Sequence, residues 1–240
     1  MAEQEVIKHT KKVLGTLRNK NTGWKHKVKE ILLEIAIIVF AVSLSIYLHN
    51  WSEKRHDRHE ERTFLEGLKT DLQNDITEMQ GDLNSYYRMK AGYEYFQKVA
   101  VGESLNTDSM LKYQPVFFNT TFISPNISRF EGLKASGKLS IIENKELLNN
   151  ILDLYQENIP YLNMLNSYFN DYKTRQLRPL LDQRLDFSKS AIGNWEEVLR
   201  TNEIKNSLRH SDDINEVIKN YSKTIENIRS IIKEIDEELK

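Results

Sequence analysis

The chain has 240 residues, with 34 Lys and Arg against 35 Asp and Glu, 39% hydrophobic residues, 9 Gly, 4 Pro and no Cys. A net charge of -1 excludes a generally basic nucleic-acid binder and a strongly acidic disordered chain. Lack of cysteine excludes disulfides, thiolate metal sites, iron–sulfur clusters and cysteine nucleophiles, and the scarcity of Gly and Pro favours helices over a turn-rich barrel or sandwich.

Residues 1–29 read as a basic cytoplasmic segment, with Ile7, Val13, Leu14 and Leu17 interspersed among its cations. Such a segment either lies on an anionic leaflet or serves only as a topology signal. Residues 30–51 read as a transmembrane helix. From Ile31 to Leu48 the sole charge is Glu34, and the stretch covers roughly 27 Å of a hydrocarbon core of about 30 Å. Trp24 before it and Tyr47 and Trp51 at its end supply interface anchors. On one helix the two tryptophans stand roughly 40 Å apart, near the full width of a bilayer with its headgroups. The rival readings are the buried helix of a soluble protein and a cleaved signal peptide. Eight Lys or Arg in residues 1–30 against five in residues 49–70 point to a single-pass protein of the cell inner membrane, with a cytoplasmic N-terminus and a periplasmic C-terminal domain. Glu34 lies about one turn inside the apolar run. It is a candidate intramembrane functional or assembly residue, able to hydrogen-bond between copies whose small residues Ala36, Ala41, Ser43 and Ser45 permit close approach.

Residues 52–100 read as a helical stalk. Leu65, Leu68, Leu72, Met79, Leu83 and Tyr86 keep a 3.5-residue average spacing, with Asp75 the weak position and Gly67 and Gly81 available for bending or close packing. Residues 101–240 read as a helical bundle packing in part on that stalk. Its first part carries Gly102, Pro115, Pro125 and the apolar run Val116, Phe117, Phe118 and Phe122, which suits a loop tucked onto the bundle or an aromatic partner patch. Ser128 with Glu131 forms a candidate capping box, Gly137 a helix end, and Asn144 a cap for a helix starting near Lys145. Pro160 predicts a break or kink, and Pro179 the next boundary. A shorter helix is expected around Trp195 to Asn206, and Asp213 with Glu216 forms a further candidate box. Ile214, Ile218, Tyr221, Ile225, Ile228, Ile232, Ile235 and Leu239 then repeat by fours and threes. With Leu65, Leu68, Leu72 and Leu83 they make a candidate assembly seam, closed either by an antiparallel return onto the stalk or by a second copy.

The motifs of nucleotide, hydrolase, zinc-protease and calcium chemistry are absent. His49, His56 and His59 share a helical stretch with Asp57 and Glu60, but equal numbers of acids and cations around them suit a solvated juxtamembrane surface better than a metal site. The tyrosines suit packing better than a ligand pocket. The sequence therefore predicts no cofactor, no metal, no nucleic-acid partner and no catalysis.

The run EIAIIVFAVSLSIYLHNWSEKRHDRHEE with FLEGLKTDL, and the segment FEGLKASGKLSIIENKELLNNILDLY from Phe130 to Tyr155, resemble a family of uncharacterised, N-terminally anchored single-pass membrane proteins common in Bacteroidota. Glu34, Asn50, Trp51 and Leu65 to Leu72 carry the likeness, which spans residues 24 to 175. It implies an anchor and an all-helical body, and no activity. The expectation is an all-α, noncatalytic scaffold or interaction protein, whose partners are the lipid bilayer and either its own copies or another envelope protein. The alternative is an accessory subunit of a signalling or transport complex, using Glu34 or a ligand-sensitive bundle.

Overall fold

The computed structural model describes Lys11, residues 24–188, Ser190 and residues 192–240, and all regular structure among the described residues is helical. The reading of Ile7, Val13, Leu14 and Leu17 as a leaflet-binding face lies outside the described residues. Helix α1 runs over Trp24–Ala100, and the chain divides into two compact units, residues 1–61 and 62–240.

In the first unit, α1 is long and apolar enough to cross a membrane, and only 6% of its most apolar eighteen-residue window is buried. The second unit is built on the rest of α1, where Leu65, Leu68, Leu72, Met79, Leu83, Tyr86, Tyr93 and Phe96 return to the core at helical spacing. After α1 come α2 (Thr107–Tyr113), a 3-10 turn (Gln114–Phe117) and residues 118–127, which have no regular structure. Then follow α3 (Ser128–Ala135), α4 (Lys145–Asp153), α5 (Ile159–Tyr172) and α6 (Arg178–Arg184). Two short helices, α7 (Trp195–Leu199) and α8 (Asn202–Arg209), stand where one was expected, and α9 (Ile214–Glu238) closes the chain.

Side-chain pairs fix the direction of each leg. Tyr95 meets Asn106, Tyr86 meets Thr121, Asp75 meets Asn126 and Asp71 meets Arg129, so residues 106–130 run antiparallel to α1. Tyr86 and Met89 meet Asn166 and Lys173, so α5 is parallel to α1. Lys69 pairs with Asp236, Asp82 with Tyr221 and Gln97 with Ser211, so α9 returns antiparallel to it. The unit is an up-down-up-down bundle whose second leg is largely an irregular segment rather than a helix.

The predicted boundary at Pro179 does not occur, and Pro160 does not end its helix either. One helical run passes from α4 through α5 to α6, and π-helical turns at Leu154–Asn158 and Lys173–Leu177 each end two residues before a proline. Ile159 and Arg178 donate their N–H to carbonyls five residues back. The wider turn accommodates a ring that would collide with the carbonyl four residues back in a regular α-helix.

Asn144 caps α4 as expected, its Oδ1 accepting from the Glu146 and Leu147 N–H groups at 3.1 Å each. Neither candidate capping box forms. Ser128 is the first helical residue of α3, and the residues before α3 and α9, Ile127 (ψ -14°) and Asp213 (ψ -21°), already have helical backbone. A capping side chain needs the extended conformation seen at Asn144 (ψ 104°). Gly137 does take the left-handed conformation of a turn, with φ 70°.

Candidate functional site

An irregular leg inside a bundle presents carbonyls that no helix satisfies, and unpaired buried carbonyls are costly. Here side chains from the neighbouring helices supply the donors. Tyr93 Oη donates to the Val116 carbonyl at 3.3 Å, Asn170 Nδ2 to that of Thr121 at 2.7 Å, and Tyr155 Oη to that of Asn126 at 3.4 Å. Lys173 Nζ donates to the Asn119 carbonyl. At the lower end Asp75 Oδ1 accepts from the Asn126 backbone N–H at 2.9 Å and from its Nδ2 at 2.7 Å.

A chain of hydrogen bonds runs behind this leg. Tyr86 Oη donates to Asn166 Oδ1 at 2.7 Å, Asn166 Nδ2 donates to Tyr221 Oη at 2.9 Å, and Tyr221 Oη donates to Asp82 Oδ2 at 3.3 Å. The Tyr86 ring also packs on Phe169 and Tyr221, with centroids 6.1 and 5.4 Å away. Burial pushes the Tyr86, Tyr93, Tyr155 and Tyr221 hydroxyls well above the ordinary phenol range. These groups stay neutral donors, unsuited to proton transfer at neutral pH.

Lys173 is the exceptional member. It is 1% exposed, and among the described residues no carboxylate stands within salt-bridge reach of it. Its ammonium also lies 3.5 Å from Met89 Sδ and 5.6 Å from the Phe169 ring centroid. Burial lowers its pKa from 10.5 to about 8. The same cause raises the Asp75 and Asp82 carboxyls above the usual range, and Asp75 Oδ2 is buried with no hydrogen-bond partner among the described residues.

The residues singled out in the sequence fall into two sets. Trp24, Tyr47 and Trp51 are exposed on α1 in the first unit, with the Arg55 guanidinium 5.8 Å from the Trp51 ring centroid. Glu34 is 6% exposed, whereas its apolar neighbours Leu32, Leu33 and Ile35 are exposed. The candidate seam lies in the second unit. Leu65, Leu68, Leu72 and Leu83 share one core with Ile214, Ile218, Tyr221, Ile225, Ile228 and Ile235. Ile232 and Leu239 are only partly buried, and Ile231 is buried instead. The face of α9 is wider than a two-stranded seam because that helix packs against both α1 and the α4–α5 run. Apart from Ile232 and Leu239, both rows thus lie inside the chain's own core.

His56 Nε2 lies 3.2 Å from Glu60 Oε1, an ordinary neighbouring-turn pair. Among the described residues no three His, Asp or Glu side chains converge on a metal-sized site. The sequence reading missed Asn166, Asn170 and Lys173. The signal available was their spacing, i, i+4 and i+7, a polar row beside the apolar row of Leu162, Leu165 and Phe169.

Comparison with protein-family models finds no match, and neither curated proteins nor solved structures give one.

Proposed function

We propose that this is a noncatalytic scaffold or interaction protein, held by one span in the cell inner membrane with its bundle in the periplasm. It would assemble with its own copies or with another envelope protein and keep that partner at the membrane. Membership of the Bacteroidota single-pass family belongs to the same proposal and rests on the motifs around Glu34, Asn50 and Trp51. The observation that carries the reading is the bare apolar surface of α1, from Leu32 and Leu33 through Phe40 to Leu48. The described part of the chain does not cover this surface, and lipid would.

The partner surface we assign is the outer face of α5. Tyr161, Met164 and Tyr168 stand at i, i+3 and i+7 and are about half exposed, and the neighbouring Leu165 is half-buried. Aromatic and methionine side chains at this spacing suit contact with a partner helix. A photoreactive residue at Met164 or Tyr168 should crosslink in intact membranes to a second copy or to one envelope protein, identified by mass spectrometry. The same probe at exposed Lys219 should not. Equal crosslinking at all three positions, or none at Met164 and Tyr168, would contradict the assignment. The accessory-subunit reading is favoured by one observation, the burial of Glu34 within the apolar run. Under it, Glu34→Gln should abolish function while leaving insertion and crosslinking intact.

A further inference from the structure

Beside Lys173, α1 and the segment from Lys112 to Thr121 enclose a groove of about 710 Å³, within the range of small-molecule sites. We propose that this groove binds an organic anion with an apolar body.

Three observations converge on that class. First, the charged groups lining the groove are Arg88 and Lys112, and among the described lining residues there is no carboxylate. The chain as a whole carries 35 acids against 34 cations, so this is a local sorting of charge. Among the described residues, no acidic side chain forms an ion pair with either cation. Arg88 Nη2 donates to Ser85 Oγ at 3.1 Å, and Lys112 Nζ lies 4.9 Å from the Tyr113 ring centroid. Both remain available to an anionic group, Arg88 in the forked geometry that suits carboxylates and phosphates.

Second, Lys173 stands directly behind the wall. Its two polar contacts, Met89 and Asn119, both line the groove. A buried ammonium without a counter-charge is normally destabilising, and an anion in the groove would supply the compensation that the described residues do not. At neutral pH the group is mainly protonated, since its pKa is about 8.

Third, Met89, Tyr113, Pro115, Val116 and Phe118 give the groove an apolar and aromatic side, beside the neutral polar residues Ser85, Asn119, Thr120 and Thr121. An inorganic anion would leave that surface uncovered, whereas an aryl or acyl body fills it.

The test uses the full chain in discs of zwitterionic lipid, photolabelled with 4-benzoylbenzoate and mapped by mass spectrometry. Labelling should saturate and map to Met89, Tyr113 or Phe118. It should fall at least tenfold with the uncharged 4-benzoylbenzamide and at least tenfold in the double variant Arg88→Gln, Lys112→Gln. Both side chains are exposed, so the circular dichroism of that variant should match the parent. Competition by soluble phenylacetate would assign the site to a free organic acid, and competition only by phosphatidylglycerol in the disc to a lipid headgroup; either upholds it. Non-saturating or scattered labelling, or equal labelling by the amide or of the double variant, would overturn it.

Discussion

Lys173 shows how one side chain serves the fold at a cost. Its ammonium closes the Asn119 carbonyl, yet burial holds its folded pKa near 8 against an unfolded value near 10.5. Between those values the unfolded chain binds more protons than the folded chain, so stability rises with pH across this window. From pH 8 to 9.5 the gain should be about 2 kcal/mol. Above about pH 10 the gain reverses, because the buried tyrosines resist an ionisation that the unfolded chain undergoes. Denaturant unfolding of the bundle at a series of pH values checks this. Lys173→Met should flatten the rise; the same rise in that variant would show that another group causes it.

At the scale of elements, two helical glycines of α1 differ in what surrounds them. A Cβ at Gly81 meets nothing within 4 Å, so Gly81→Ala should stabilise by up to about 1 kcal/mol through helix propensity alone. At Gly92 it would stand 2.7 Å from Val116 Cγ1, a buried side chain of the adjoining leg. There Ala should destabilise by about 1–3 kcal/mol. Thermal melts of the two variants check the pair, and equal shifts would mean that Val116 does not pack on α1 as described.

The same contrast explains what the sequence disclosed. Periodicity finds the inward rows of α1 and α9, because apolar burial writes itself at intervals of three and four residues. It cannot find the partners of an irregular leg, whose carbonyls are satisfied by Tyr93, Tyr155, Asn170 and Lys173 from other elements of the bundle. A polar row such as Asn166, Asn170 and Lys173 looks the same whether it faces water or a buried strand of loop. Proline likewise signals a disturbance, but not whether the helix stops or widens into a π-helical turn and continues, as it does before Pro160 and Pro179. The capping boxes at Ser128 and Asp213 fail for a related reason, since the preceding residues continue in helical backbone and the side chains cannot fold back.

At the scale of the whole molecule, the chain combines an apolar helical segment with exposed side chains and a bundle stabilised by its own core. The absence of cysteine makes its topology directly measurable, because a single introduced thiol has no competing background. Lys11 and Lys219 are both exposed, one before the apolar run and one on α9. The most direct test is labelling of Lys11→Cys and Lys219→Cys with a membrane-impermeant maleimide, in cells with a permeabilised outer membrane, after confirming that the protein resists extraction with carbonate. For the proposed topology, position 219 should label at once and position 11 only after the inner membrane is breached. Protection of position 219, or release of the protein into the soluble fraction, would contradict the anchored, periplasmic assignment.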